Sequence, residues 1–341
     1  MKLIEVGACP VSGEAGTVKI AAVGDAYFGT AGEWSYRENP RTGHLWLDRQ
    51  PAPEHVHELY VNYYTHAAAS SGTSVWQRAQ DLVLARRLGY PHPGPVGFLA
   101  RLVSRLPSVA DAAEMEVMRV PAAKSGTLLD VGCGSGAFLQ RMRNAGWQVT
   151  GTEPDPHAAA RLRERLGFPV FSRIEEVESR FERFDLITLS HVIEHVPDPL
   201  ATLRQLAALL TPNGQLMVTT PNVKGLGARL FGPAWRGLEP PRHFNVFSPQ
   251  SLAEAVRSAG LHVDVQTTHV RLARGIFYLS TLARRGHRDL ENRQRKSSRS
   301  LKIAGYCFQV LEAALVRVLP GAGEELYCVA SIAPSAAKRS T

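Results

Sequence analysis

Three alternate glycines, Gly132, Gly134 and Gly136, follow an apolar run that contains Asp130, and few folds accommodate this arrangement. A continuous apolar run is typical of a strand buried in a parallel sheet. Glycines directly after such a strand allow the chain to turn sharply and let a ligand approach the bare backbone. The stretch therefore predicts a strand, a nucleotide-binding turn and the beginning of a helix.

Two acidic residues narrow the kind of ligand that this turn can bind. The glycines and Ala137 also satisfy the dinucleotide fingerprint, but Asp130 would repel a pyrophosphate and could accept a hydrogen bond from an ammonium group. Glu153 follows a second apolar segment, about twenty residues past the glycines, where an acid can bind both ribose hydroxyls. Enzymes that bind NAD use the same acid, so the preference for a cationic ligand rests on Asp130.

Strand-like and helix-like segments alternate through the central part of the chain, which demands a parallel sheet. We predict an α/β fold with a Rossmann-like, doubly wound, mostly parallel seven-stranded sheet, a small N-terminal β module and helical insertions. The strands are predicted at residues 127–131, 148–152, 169–171, 184–189, 215–219, 261–268 and 326–332. Ligands of such sheets bind beyond the carboxyl ends of the strands, where Gly132, Glu153, Ser172 and Ser190 fall.

Two further segments, together with the glycine turn, carry a family resemblance. They are FDLITLSHVIEHVPDP at residues 184–199 and LLTPNGQLMVTTPN at residues 209–222. The three resemble the class I S-adenosylmethionine-dependent methyltransferases, in particular the branch similar to ubiquinone-biosynthesis O-methyltransferases. HVIEH at residues 191–195, combined with YYTH at residues 63–66 and WRGLEPPRH at residues 235–243, also resembles methyltransferases of polysaccharide clusters. The resemblance implies S-adenosylmethionine as cofactor and S-adenosylhomocysteine as product. The implied cofactor-binding residues are Asp130, Gly132, Cys133, Gly134, Gly136, Glu153, Pro154, Ser172, Ser190 and His191.

A loop at residues 235–249 is rich in groups that can do chemistry, and members of this branch carry a similar Pro-Arg-His sequence. His243 in this loop is our first candidate base, since an imidazole titrates near neutral pH, and a bracing role for it fits equally well. His191 is the second catalytic candidate. We expect Arg242 to face the acceptor with Tyr64 and His66, for which aromatic packing at a helix end is the alternative.

The spacing of His191, Glu194 and His195 would place them on one helical face that could bind a divalent metal. Small-RNA 2′-O-methyltransferases and some quinone-type relatives use a similar Glu-x-x-Glu-His pattern for magnesium. Here a histidine stands first and Pro197 follows closely. We therefore predict no metal, with His191 beside the methionine end of the cofactor and the other two residues orienting the turn.

The first segment contains two turns of similar sequence, residues 9–13 and 39–43, each with the frame of a zinc-ribbon knuckle. Some relatives of this branch begin with a four-cysteine ribbon, which implies that this segment is a degenerate one. Its ligand positions hold Cys9, Ser12, Asn39 and Thr42. Hydroxyl and amide groups are poor zinc ligands, so we expect no zinc. A small β module packed around Trp34, Tyr36, Leu45 and Trp46 is favoured.

The net charge of +8 is concentrated in a basic segment that lies within an insertion, residues 271–323. The last helix of the insertion has one apolar face: Ile303, Tyr306, Cys307, Val310, Leu311, Ala314, Leu315 and Val318. Two interpretations fit this pattern. One is peripheral contact with an anionic membrane through residues 284–319, and the other, which we favour, is packing of the helix on its own domain.

Composition and length bound the class and the organisation of the protein. A chain of 341 residues with 44% hydrophobic and 21% charged residues can bury a full core and has room for about two domains. Its start lacks the apolar stretch of a signal peptide and its four cysteines are isolated, so we expect a cytoplasmic protein. The predicted domains are residues 1–52 (β module), 53–125 (helical cap), 126–270 (methyltransferase core), 271–323 (insertion) and 324–341 (last strand and tail).

Three functions compete at this stage. The first is O-methylation of a small molecule or of a lipid-linked sugar in cell-surface polysaccharide biosynthesis, with a phenolic or quinol ring as an alternative acceptor. The second is methylation of RNA or protein, and the basic segment has few of the interleaved aromatic residues that stack on nucleic acid bases. The third is cofactor binding without turnover, which the intact Asp130, Gly132 and Glu153 disfavour.

Overall fold

The computed structural model describes residues 1–60, 75–92, 94, 98–122, 125–181, 183–288, 290 and 298–333. For residues 75, 76, 99, 100 and 103 it describes the backbone alone. The acceptor-site candidates Tyr64 and His66 lie outside the described residues.

The N-terminal segment forms short strands and then helices. Its strands are β1 (Leu3–Glu5), β2 (Thr17–Val23), β3 (Trp34–Glu38), β4 (Leu45–Leu47) and β5 (Arg49–Pro51). A 3-10 helix at Pro53–Tyr60 follows, then α1 (Val75–Leu88), α2 (Phe98–Val103) and α3 (Pro107–Met115). Trp34, Tyr36, Leu45 and Trp46 are all buried, as expected for the packing of this module.

The central part of the chain alternates strands and helices as predicted. Its elements are β6 (Thr127–Val131), α4 (Ala137–Asn144), β7 (Gln148–Thr152), α5 (Pro156–Leu166), β8 (Val170–Phe171), α6 (Ile174–Glu178), β9 (Phe184–Ser190), α7 (Pro199–Ala208), β10 (Leu210–Pro221), α8 (Leu226–Phe231), β11 (Asn245–Val246), α9 (Pro249–Ser258) and β12 (Leu261–His269). The insertion contains α10 (Ala273–Arg284) and α11 (Arg299–Leu315), and β13 (Glu325–Ile332) follows it.

Seven of these strands form one sheet in the order β12-β13-β10-β9-β6-β7-β8. All its pairs are parallel except those of β13, which runs antiparallel to both β10 and β12. The carboxyl ends of the six parallel strands and the first residue of β13 therefore share one edge of the sheet. We call this edge the ligand edge. The strand order and directions confirm the predicted Rossmann-like fold.

The two faces of this sheet carry separate hydrophobic clusters, because side chains alternate along each strand. Leu128 packs with Leu84 of α1 and Met142 of α4, whereas Leu129 packs with Leu203 of α7 and Leu252 of α9. Helices thus cover both faces, as a parallel sheet requires.

The N-terminal module is joined to the core by its own sheet. β11, in the loop that contains His243, pairs antiparallel with β4 and completes a sheet of order β11-β4-β3-β2. Trp235 and Phe244 of this loop share a hydrophobic cluster with Trp34 and Tyr36 of the module. The Tyr36 hydroxyl also donates to the carbonyl oxygens of Leu238 and His243, at 2.6 and 3.0 Å. The module therefore supports the loop from behind.

The helices of the insertion pack on each other but not as predicted. The rings of Phe277 in α10 and Phe308 in α11 lie 5.0 Å apart between centroids, and Gly305 allows the backbone of Arg274 to approach closely. The buried side of α11 carries Gly305, Phe308, Gln309 and Glu312, while the predicted packing face lies largely in solvent. Within the described ranges, no helix combines the length and hydropathy needed to cross a bilayer.

Candidate active site

The glycine turn begins directly after β6, and Gly132 shows why glycine is required there. Its φ is +68°, a left-handed conformation that side chains disfavour, and an added Cβ would lie 2.7 Å from the Val192 side chain. Gly136, with φ of +72°, caps the start of α4. The turn therefore brings bare backbone to the ligand edge, as the sequence predicted.

Asp130 lies at the base of this turn with little exposed surface. Its carboxylate accepts a hydrogen bond of 2.7 Å from the Thr188 hydroxyl on the neighbouring strand. Burial raises the pKa of Asp130 to about 7, although the Thr188 bond opposes the shift. A cationic ligand beside Asp130 would favour its ionised form.

Glu153 follows β7 and faces the glycine turn. Its carboxylate accepts from the backbone N–H groups of Gly134, at 3.1 Å, and Asp155, at 3.4 Å. These bonds orient the acid at the ligand edge, where the ribose assignment placed it.

A cavity of about 260 Å³ opens at the ligand edge beside the turn. Four predicted cofactor residues line it: Asp130, Gly132, Cys133 and Ser190. Met115 and Met118, at and beyond the end of α3, form an apolar part of its wall. The other predicted cofactor residues follow the same strand ends without lining this cavity: Gly134, Gly136, Glu153, Pro154, Ser172 and His191.

Arg271 also lines this cavity, and the sequence reasoning missed it. Its guanidinium makes two hydrogen bonds, of 2.6 and 3.3 Å, to the fully buried carboxylate of Glu325. The sequence did contain a signal for this arginine. Glu325 is the first residue of the last strand, and an antiparallel strand places its first residue at the ligand edge, where a buried acid needs a cation. The cavity therefore offers a carboxylate at Asp130 and a guanidinium at Arg271.

His191, the second catalytic candidate, is held between two buried acids. One ring nitrogen lies 3.0 Å from Glu194 and the other 2.8 Å from Glu325. Burial alone would lower its pKa, but the hydrogen bonds to these carboxylates raise it to about 9. The imidazole is therefore protonated at neutral pH and has no lone pair for a proton. We assign it to positioning at the end of β9.

His243 does not meet the expectation of a freely titrating imidazole. It is buried, and its Nδ1 lies 2.8 Å from the Gly237 carbonyl oxygen, which accepts a hydrogen bond if that nitrogen carries the proton. Burial lowers its pKa to about 4, although nearby Glu239 opposes the shift. His243 is neutral at pH 7 but weakly basic. Its ring meets that of His195 edge-on at 4.6 Å between centroids.

Arg242 faces the N-terminal module, and this corrects its assignment to the acceptor. Its side chain is fully buried and donates to Glu239 at 3.0 Å, Asp25 at 2.9 Å and Thr30 at 3.1 Å. The ring of Phe28 covers the guanidinium at 4.0 Å. All three guanidinium nitrogens thus donate a hydrogen bond to these partners. The charge of Arg242 therefore stabilises the docking of the N-terminal module.

Within the described part of the chain, Glu194, His195 and His243 form one cluster that could hold a metal ion, with ligand atoms within 4.8 Å of one another. Two imidazoles and a carboxylate suit a divalent transition metal. Contact of His243 Nδ1 with a carbonyl oxygen would leave Nε2 for an ion. Glu194 is already engaged by His191 and by Thr220, at 2.9 Å. The absence of a metal stays a prediction.

The comparisons with known proteins agree with this geometry. Residues 98–266 match the family model of a methyltransferase domain. The ubiquinone biosynthesis O-methyltransferase of Methylobacterium sp. (strain 4-46) is 34% identical over 158 residues, 42% of this chain and 62% of that protein. Its counterpart in Xanthomonas axonopodis pv. citri (strain 306) is 34% identical over 150 residues, 40% of this chain and 63% of that protein.

The match spans less than two thirds of the length of these relatives. Among solved structures, an S-adenosylmethionine-dependent methyltransferase from Mesorhizobium loti is 16% identical, covering 64% of this chain and 96% of that one with a TM-score of 0.41. The family match, the relatives and the seven-stranded sheet lead to one conclusion. Residues 98–266 are a methyltransferase domain of the class I, S-adenosylmethionine-dependent type, similar to the ubiquinone-biosynthesis O-methyltransferases.

Proposed function

We propose that the protein transfers a methyl group from S-adenosylmethionine to an oxygen atom of a small molecule or of a lipid-linked sugar used in cell-surface polysaccharide biosynthesis. The observation that carries the donor assignment is the opposite charges of Asp130 and Arg271 in the cavity, which Glu116 and Arg141 also line. Asp130 and Arg271 match the ammonium and the carboxylate of the cofactor's methionine end. A pyrophosphate in the same place would be repelled by the negative charge of the Asp130 carboxylate.

Most of the rate enhancement comes from positioning. The sulfonium is a reactive donor, and the transfer forms an oxygen–carbon bond, breaks a carbon–sulfur bond and releases the hydroxyl proton. Fixing the acceptor against the methyl group can supply several kcal/mol, on the order of 7 or more in well-oriented cases. The glycine turn, Glu153 and Arg271 would orient the donor.

The proton released by the acceptor hydroxyl needs a base. We propose the histidine pair formed by His195 and His243, which lies next to His191. His195 is partly exposed, and its Nδ1 lies 3.1 Å from both the Tyr60 hydroxyl and the Arg242 carbonyl oxygen. Buried His243 packs edge-on against it. We assign proton acceptance to this pair, with His195 on the accessible side and His243 supporting it.

A phenolic or quinol ring is the second candidate acceptor. The observation in its favour is the name of the curated relatives, which are ubiquinone biosynthesis O-methyltransferases at 34% identity. The Tyr60 hydroxyl lies 3.1 Å from His195 of the histidine pair, where an aromatic acceptor could stack.

Methyl-labelled S-adenosylmethionine tests the proposal directly. The purified protein is incubated with extract of its own cells, which is then separated into lipid-linked glycan, soluble metabolites, quinones, nucleic acid and protein. We expect label in the lipid-linked or soluble sugar fraction with the natural protein and none with Asp130→Ala. Label in quinones supports the second candidate, and label only in nucleic acid or protein overturns both.

A further inference from the structure

The outer face of α11 exposes an unusual amount of apolar surface. This face comprises Ile303, Tyr306, Val310 and Leu311, with Val318 in the turn beyond the helix, and these side chains are between 45% and 78% exposed. Single exposed apolar residues are ordinary, but a contiguous row on one helix marks an interaction surface. The row needs a partner that the described chain does not supply.

The opposite side of the same helix already makes the intramolecular contacts. Gly305, Phe308 and Gln309 are buried toward α10, and the Gln309 amide donates to the Val270 carbonyl oxygen at 3.0 Å. The helix is thus fixed on the protein through its inner side. The described chain leaves its outer face exposed, apart from Tyr306, whose ring lies 4.5 Å from the Arg274 guanidinium. The sequence pattern had favoured packing through that face.

The charges around the outer face have one sign. Among residues 298–319, Arg299, Lys302 and Arg317 are exposed, whereas the one acid, Glu312, is fully buried. Arg284, Arg285 and Arg288 are exposed at and after the end of α10. The described residues of α11 and of the end of α10 thus border the apolar face with cations and with no exposed acid, which complements the surface of an anionic bilayer.

A second exposed apolar patch borders the same region. Phe98, Leu102 and Leu106 are each more than half exposed on and after α2. The end of α2 and the end of α11 both line a cavity of about 320 Å³, through Arg105 and Arg317 respectively. Thr268 and His269, at the carboxyl end of β12, line it too, so Arg105 and Arg317, which follow α2 and α11, lie close to the ligand edge.

We propose that the outer face of α11, with the patch on α2 beside it, attaches the protein peripherally to an anionic lipid bilayer. The apolar side chains enter the boundary between headgroups and acyl chains, and the surrounding arginines and lysines bind lipid phosphates. The attachment goes beyond methyl transfer and holds whichever acceptor is used. It brings the ligand edge of the sheet close to the membrane surface.

Vesicle co-sedimentation of the full chain tests this attachment. Vesicles of phosphatidylcholine alone are compared with vesicles that also contain phosphatidylglycerol, at about 0.1 M and about 0.5 M salt. We expect binding to the anionic vesicles, weakened at the higher salt. The double variant Val310→Ser with Leu311→Ser should bind about a hundredfold more weakly, and Arg299→Gln with Lys302→Gln roughly tenfold more weakly.

A control uses exposed apolar residues that lie elsewhere. Val18 in β2 and Val265 in β12 are 51% and 47% exposed, against 61% for Val310 and Leu311, so Val18→Ser with Val265→Ser should leave vesicle binding unchanged. Circular dichroism and S-adenosylmethionine affinity confirm that each variant is folded. Failure of the natural protein to bind anionic vesicles overturns the proposal. So does a natural dimer that Val310→Ser with Leu311→Ser converts to monomer without any vesicle binding, because the face then joins two copies of the chain.

Discussion

The carboxylate of Glu153 is oriented by two backbone N–H groups before any ligand arrives. Replacing it with alanine removes a support of the glycine turn and, if the ribose assignment holds, the acceptor for the ribose hydroxyls. We expect Glu153→Ala to weaken S-adenosylmethionine binding by roughly 1–3 kcal/mol, the range for hydrogen bonds to charged groups. Isothermal titration calorimetry of the purified variant measures the change.

Glu164 provides the matched control, since it is an exposed glutamate on the neighbouring α5. Glu164→Ala should keep the affinity of the natural protein. Equal affinities of Glu153→Ala and Glu164→Ala would refute the ribose assignment.

At Arg242 the structure separates two roles that the sequence pattern could not. If the side chain only docks the N-terminal module, its loss leaves Asp25 buried without its cation and Glu239 with Arg236 alone. We expect Arg242→Ala to lower the free energy of unfolding by about 3–5 kcal/mol, as for other broken buried ion pairs. Urea unfolding followed by circular dichroism measures this loss.

Arg229 is an exposed arginine on α8, and Arg229→Ala should unfold like the natural protein. An Arg242→Ala variant that kept its stability but lost acceptor affinity would return this arginine to the acceptor site.

On the scale of the element, α11 carries the buried carboxyl of Glu312, which makes the stability of the protein depend on pH. Burial, with the charge of nearby Glu324, raises the pKa of Glu312. A raised carboxyl pKa means that stability falls as pH rises above the ordinary value, because the unfolded chain releases a proton that the folded chain keeps. We expect Glu312→Gln to stabilise the protein by roughly 1–3 kcal/mol at about pH 8 and less at about pH 5.

Thermal unfolding at both pH values gives the comparison. Glu178→Gln, at an exposed glutamate on α6, should change neither curve. A stabilisation of equal size at the two pH values would exclude titration of Glu312 as its cause.

The two knuckles of the N-terminal module contact each other through polar groups. The Asn39 amide donates to the Ser12 hydroxyl at 2.8 Å and to Glu14 at 2.6 Å. These hydrogen bonds occupy Ser12 and Asn39, two of the four side chains at the ligand positions. We therefore expect Cys9→Ser to leave the metal content of the purified protein unchanged in elemental analysis.

The same analysis of His195→Ala separates this module from the histidine cluster. A metal that disappears only in His195→Ala belongs to Glu194, His195 and His243. A metal that disappears in Cys9→Ser would show that the knuckles still bind it.

On the scale of the whole molecule, the N-terminal module covers apolar groups of the loop at residues 235–249. Without it, Trp235, Leu238 and Phe244 would lose their partners in a shared cluster. We expect a chain of residues 53–341 to be insoluble or to unfold well below the melting temperature of the full chain. A chain that lacks residues 334–341 serves as the deletion control. A stable 53–341 chain with normal cofactor affinity would establish the module as an independent domain.

The strands of the central sheet could be predicted from the sequence to within a few residues, because buried parallel strands are continuous apolar runs bounded by turns. The glycine turn and Asp130 could be placed because their roles depend on local backbone. The surroundings of Arg242 and His243 could not, since their partners come from the N-terminal module. Arg271 and Glu325 meet His191 only after the last strand inserts antiparallel. The sequence also could not show which face of α11 packs against α10. The spacing of apolar residues along the helix does not decide between its two faces.

The pairing of β11 with β4 has a consequence for how such chains diverge. Recombination that replaced only the first segment would leave the β11 strand opposite an unrelated edge, and Arg242 opposite whatever stood in place of Asp25. Replacement of the loop alone would fail for the same reason. We therefore expect the N-terminal module and the loop at residues 235–249 to be inherited together, although they lie near opposite ends of the methyltransferase core along the gene.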